Sequence, residues 1–310
     1  MLLTLVISNS FAQKKGFDFA ERADSLDRLR MEAVTASTEV ERYSLNDDFM
    51  NLLELTLNEK NSFKYEWENI KNFSVLTSPD KLFKIFTWFI PKDDQSFENF
   101  GFIQVYNENR KKYVIYPLFD KRLSMDYPRT TVGNHNKWYG AVYYSIVPLK
   151  AKNRTYYTLL GWNGNDMFTN QKIIEILYFK SDMSPVFGAN VFKKYPEKSY
   201  RIIFDYAKNS VFTLKYQYQS YNINTGRRDP RSHKVIYESV TTDMIIFDLL
   251  APLDDFMGDI PAFMVPESSI NQGFIEDNGK WLFINNVNGR NPDKAMPEYQ
   301  PKDRQFYTPQ

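Results

Sequence analysis

Four short stretches of this 310-residue chain bring together side chains that can do chemistry. In APLDDFMGDIP (251–261), Asp254, Asp255 and Asp259 share one loop. Carboxylates grouped this way can hold a hard cation such as Ca²⁺. Two of them, about 5–10 Å apart in the fold, could also divide the work of glycoside hydrolysis. In GWNGNDM (161–167), Trp162 precedes Asn163, Gly164, Asn165 and Asp166. Their oxygens suit Ca²⁺ but lack the full spaced set of an EF-hand loop. The indole could stack on a sugar ring while Asn and Asp accept its hydroxyls. The same residues also make a good hairpin loop, with Asn-Gly as the turn and Trp162 over a sheet edge, and this is the favoured reading. NTGRRDPRSH (224–233) carries Arg227, Arg228, Arg231 and His233, a set able to hold sulfate, phosphate or carboxylate against the default of a solvated loop. TTVGNHNKWYG (130–140) sets His135 near Trp138 and Tyr139. A lone loop histidine is more often exposed than catalytic.

Whole classes of chemistry are disfavoured. Cysteine is absent, which removes disulfides, thiol nucleophiles and thiolate metal sites. His135 and His233 are the only histidines and cannot by themselves build a zinc site. The sequence contains no G-x-x-x-x-G-K-[ST], no strand-borne G-x-G-x-x-G, no G-x-S-x-G and no H-E-x-x-H. Nucleotide cofactors and the common serine and zinc hydrolases are therefore not expected. With 39 basic against 38 acidic residues, no nucleic-acid partner is expected either. No cofactor is expected, Ca²⁺ apart.

The elements that must position these residues are mainly β. Phe19, Leu26, Leu29 and Ala33, then Leu45, Phe49, Leu52, Leu53 and Leu57, fall at helical spacing. They predict two helices over about 18–59, the second opened by Thr38 and Glu41 at capping-box spacing. From about residue 63 the period changes to two. Strands are expected over 81–90 and 138–149, in 153–179 around the Trp162 loop, and over 233–240 and 242–250. Hairpins are expected over 99–119 with a turn at Asn107, Glu108 and Asn109, over 199–221, and over 273–287 with a type I′ turn at Asn278-Gly279. About twelve strands with short connections and no crossover helices predict a large antiparallel meander. A sandwich, an open barrel and curled sheets all fit it, and a propeller lacks the repeat it needs. The domain reading is a helical segment 13–62, a β domain 63–288 and a polar, proline-containing tail 289–310.

The start, MLLTLVISNSFAQ, reads as the end of a secretory signal peptide cleaved after Ala12, with a truncated n-region. A buried N-terminal strand is the alternative. No apolar run reaches the roughly 20 residues that a spanning helix needs. The stretches NSFKYEWENIKNFSVLTSPDKLFKIFTWFIP, FGFIQV, YYTLLGWNGNDMFTNQKIIEIL and DNGKWLFINNV resemble a group of exported proteins of Bacteroidota-type bacteria. The resemblance implies export and brings no activity with it. The leading expectation is a periplasmic or secreted, non-enzymatic protein that binds glycan or an envelope partner. It would do so through aromatic and Asn/Asp-bearing loops at a sheet edge, with Trp88, Trp138 or Trp162 exposed and clustered on one face. A carboxylate-dependent hydrolase of envelope or dietary polysaccharide and a structural envelope component are the alternatives.

Overall fold

The computed structural model describes residues 17–108, 110–258 and 260–287, without the side chains of 268–270. The signal-peptide and tail readings, Asn109 and Asp259 lie outside the described residues.

Two helices open the chain, α1 (Phe19–Thr35) and α2 (Glu39–Asn58). The Asp18 carboxylate starts α1 by accepting from the amides of Ala20 and Glu21. The Thr38 hydroxyl starts α2 by accepting from the Glu41 amide, and the Glu41 carboxylate accepts the Thr38 amide. This is the capping box that the Thr-x-x-Glu spacing predicts. Thr38→Ala is expected to lower stability by about 1 kcal/mol. Thr38→Ser should be near neutral, both read as shifts of the urea midpoint at constant slope.

The strands are β1 (Ser74–Thr77), β2 (Phe83–Pro91), β3 (Phe97–Asn107), β4 (Lys112–Phe119), β5 (Gly133–Asn134), β6 (Val142–Ala151), β7 (Arg154–Asn163) and β8 (Thr169–Phe179). They continue as β9 (Pro185–Phe187), β10 (Phe192–Lys193), β11 (Ile202–Ala207), β12 (Leu214–Arg228), β13 (Val235–Pro252), β14 (Met264–Glu276) and β15 (Trp281–Val287). They form three sheets, and β10–β15 is the one parallel pair of named strands among the described residues. The first sheet is the meander β1-β2-β3-β4. The second runs β5-β9-β8-β7-β6, with β11 on β8 beside β9. The third runs β10-β15-β12-β13-β14, and β14 also pairs β15, so four strands close into a ring. Among the described residues, Tyr221 with Val287 is the pair that joins β12 to β15.

The layers stack in chain order, because alternate residues of each inner strand feed opposite cores. On β2, Phe86 and Trp88 meet Leu26, Phe49 and Leu53 of the helices, while Phe83 and Ile85 meet Tyr143, Leu159 and Ile173 of the second sheet. On β8, Ile173 and Leu177 face the first sheet, and Ile174 and Ile176 face Leu214, Phe247 and Phe274 of the third. Helices, first sheet, second sheet and third sheet thus follow one another.

The hairpins 99–119 and 273–287 form as predicted, the latter with positive φ at both Asn278 and Gly279. The hairpin expected over 199–221 does not. β11 joins β8 in the second sheet, and β12 joins β13 in the third. Phe204 and Phe212 still meet, with ring centroids 4.9 Å apart, because the two segments stack across layers instead of pairing edge to edge. Alternation fixes the face of a strand and leaves its partner open.

Candidate functional site

The Trp162 loop is a clamp between the first and second sheets. Trp162 lies half-buried, edge-on to Phe89 at 5.6 Å and Phe97 at 5.8 Å. Asn163 is buried; its Nδ2 donates to the Gly140 carbonyl at 2.7 Å and its Oδ1 accepts the Asn165 amide at 2.7 Å. A Cβ on Gly164 would stand 2.4 Å from the Phe97 ring, so only glycine admits that ring. Asn165 takes φ +49 and accepts from Arg122 Nη1 at 2.8 Å. Asp166 Oδ1 accepts the Phe168 and Thr169 amides and the Thr169 hydroxyl. Lys208 Nζ donates to the carbonyls of Gly164 at 2.7 Å and Asp166 at 2.9 Å. These oxygens face inward donors, so the hairpin reading describes the loop.

Beneath it, Arg122 Nη2 donates to the Phe97 carbonyl at 2.6 Å and Nε stands 3.5 Å from Asp120. The Asp120 carboxylate accepts the Asn99 amide and side chain and the Arg122 amide. Nothing in the sequence pattern joins Asp120 and Arg122, in the connection after β4, to Asn165 in the loop between β7 and β8.

Of the three tryptophans expected at the surface, two lie in the cores and Trp162 is half-buried. Trp88 and Trp138 are fully buried, and their indole N–H groups donate to Asn46 Oδ1 at 2.7 Å and to the Tyr143 hydroxyl at 2.9 Å. Their aromatic bulk was worth more to the cores than to a surface. His135 packs on Tyr116 with centroids 5.1 Å apart, and partial burial pushes its pKa down. Asp254 caps a short turn by accepting the Phe256 amide, and Asp255 follows in that turn. Among the described residues no three His, Asp or Glu side chains gather as a metal site. Arg227, Arg228 and Arg231 sit exposed around the β12–β13 turn, where Arg228 Nη1 donates to the His233 carbonyl at 2.9 Å. The Trp162 loop meets the 130–140 segment only through structural contacts such as Asn163 Nδ2 to the Gly140 carbonyl.

A groove elsewhere has the chemistry of a site. β1 is an edge strand of the first sheet. There β1, β2, the 78–81 turn and the 63–68 segment enclose about 610 Å³. That volume is within the roughly 300–1,000 Å³ of small-ligand sites. Phe63, Trp67, Val75 and Pro79 give it apolar walls. Lys64 and Lys81 stand exposed at the rim with Glu66 and Glu68.

Lys84 forms the inner wall and is only 4% exposed. Its Nζ donates to the Tyr65 carbonyl and lies 5.4 Å from the Phe63 ring centroid. Among the described residues no carboxylate lies within 4.0 Å of that ammonium. Burial drives its pKa down to about 8, and Glu66 offsets only part of the fall. A buried cation held by a carbonyl and a ring, with no described carboxylate in contact, favours an anion at its open side.

Lys84 was overlooked in the sequence, although a signal exists. In KLFKIFTWFI it falls in phase with Phe86 and Trp88, so a charge occupies a position of the buried face. Set against known proteins, the chain matches no family model, no curated protein and no solved structure.

Proposed function

We propose that this chain is an exported, non-enzymatic binding protein of a bacterial envelope that takes an acidic glycan in the groove over Lys84. One observation carries the reading: a buried ammonium with no carboxylate within 4.0 Å among the described residues, on the wall of an open groove. A uronic-acid residue matches the rest of the lining. Its carboxylate answers Lys84, with Lys64 and Lys81 adding favourable charge at the rim. Its hydroxyls find Thr77, Glu66 and Glu68, and its C–H face finds Val75 and Pro79. Export is supported by the apolar run and Phe-Ala-Gln at the N-terminus and by the resemblance described above.

Titration calorimetry with an oligogalacturonate, against a neutral oligosaccharide of equal length, tests the reading. The acidic sugar should bind and the neutral one should not. Lys84→Met should weaken binding at least tenfold. The pH dependence follows from the lowered pKa. Bound carboxylate favours the ammonium, so above about pH 8 binding must first take up a proton. Affinity should be flat below pH 7 and fall about tenfold per unit above pH 8. Equal binding by Lys84→Met, or affinity constant to pH 9.5, would refute the proposal.

A further inference from the structure

The two longest strands leave their sheet. β12 loses its contact with β15 after Tyr221, and β13 gains β14 only from Met244. Beyond these points the two strands pair with each other, from Ile223 opposite Glu238 out to Arg228 opposite Val235. The result is a two-stranded arm of about 20 Å, at about 3.4 Å per residue. It is wet on both faces, although Ile223, Ile236 and Tyr237 are 40%, 37% and 60% exposed. Such ribbons are marginal alone and their free edges invite a partner.

Its tip is cationic. Arg227, Arg228, Arg231 and Lys234 are all exposed. The nearby Asp229 spends its carboxylate on the amides of Arg231 and Ser232 and on the Ser232 hydroxyl.

A surface of the opposite kind lies at the other end of the molecule. The outer stripe of α2 presents Glu41, Asp47, Asp48 and Glu54, all exposed. The single basic residue of α2, Arg42, is buried and bound to Asp93 and the Ala36 carbonyl. Val40 and Leu55 stand among these acids, 81% and 65% exposed. Over residues 18–68 there are 13 acidic against 6 basic residues, a net charge of −7.

Within one molecule the two surfaces cannot meet. The arm belongs to the third sheet, and the second and first sheets separate it from the helices. Arm against arm would set like charges together. We propose that the arm docks on the outer face of α2 in a second copy of this chain. Ile223, Ile236 and Tyr237 would cover Val40 and Leu55 while the arginines face the carboxylates. Such a contact joins two different patches, so it propagates head to tail unless it closes into a ring.

Sedimentation velocity of the full chain, from low micromolar to several hundred micromolar, reads the association directly. Oligomers should grow with concentration at about 50 mM salt and weaken at least tenfold at about 500 mM, where charges are screened within a few Å. The variant R227E/R228E/R231E should be monomeric, and so should D47K/D48K/E54K. Mixing the two variants should restore association, because each then offers the charge the other has lost. A wild-type chain that stays monomeric at low salt overturns the proposal. So do oligomers indifferent to both variants. Arm-dependent capture by phosphatidylglycerol vesicles, with the protein still monomeric, would also overturn it and assign the arm to anionic lipid.

Discussion

Arg201→Met is expected to cost the fold about 3–5 kcal/mol near pH 8. Arg201 and Glu175 have side chains with no solvent exposure at all, and Nε stands 2.6 Å from Oε2. The guanidinium also donates from Nη1 to the carbonyls of Pro128 and Thr131, so one side chain ties β8, β11 and the 128–131 loop together. Gly188, at φ +92, brings its backbone close beside Nη2, where a Cβ would stand 3.3 Å away. Removing Arg201 leaves a carboxylate buried without its cation and two carbonyls without their donor.

The loss should depend on pH, with a definite sign. Burial raises the Glu175 pKa above its ordinary value, and Arg201 and two backbone amides pull it only part of the way back. Without Arg201 the folded value climbs further above the unfolded one. The folded variant then holds a proton that the unfolded chain releases, so acid stabilises it. That contribution is complete below the unfolded value and disappears as pH rises through the folded value. The deficit should therefore be largest at pH 8 and smaller at pH 5, measured by urea unfolding of both proteins. The double variant E175Q/R201M should recover part of the loss at pH 8, because no charge is left behind. A deficit that ignores pH would mean that Glu175 is not the stranded charge.

Trp88→Ala is the second large effect, about 3–5 kcal/mol by the usual cost of emptying an aromatic site. Trp88 is 1% exposed and lies edge-on to Phe49, with ring centroids 4.9 Å apart. It is a main contact of the first sheet with the helices. Its indole N–H satisfies Asn46, a fully buried amide on α2. Trp88→Phe keeps most of the packing and strands that amide oxygen, for about 1–3 kcal/mol. The damage should stay on one side of the molecule. Hydrogen exchange in α1 and α2 should quicken far more than exchange in β12–β15, because the helices pack in one core with the first sheet and the 65–73 segment. Equal acceleration in both regions would mean that the layers unfold as one unit.

Much of this architecture is legible in the sequence. The capping box at Thr38, the helical stripes and the Asn278-Gly279 turn are local signals, and local geometry answers them. Strand partners are set by contacts far apart in the chain, which is why 199–221 looks like a hairpin and is not one. The site residues were harder for the same reason. Trp162, Asn163, Asn165 and Asp166 catch the eye as a polar cluster, yet their partners are Gly140, Arg122, Phe97 and Lys208, which no spacing reveals. Lys84 hides among apolar neighbours, and its place appears only once the groove beside β1 is seen.

The late closure of the third sheet, where Tyr221 meets Val287, has a consequence in time. The first sheet is complete once Phe119 has been made, since each of its strands pairs with a neighbour in sequence. The third sheet must wait. β15 joins β10, β12 and β14, and Trp281 reaches back to donate its indole N–H to the Thr158 hydroxyl at 2.8 Å. Closing such long loops is slow, and it comes after the local hairpins have formed. A chain emerging from a ribosome or a translocation pore would therefore fold from its helical side outward. It would carry the open edges of β12 and β14 until the last strand arrives to lock them.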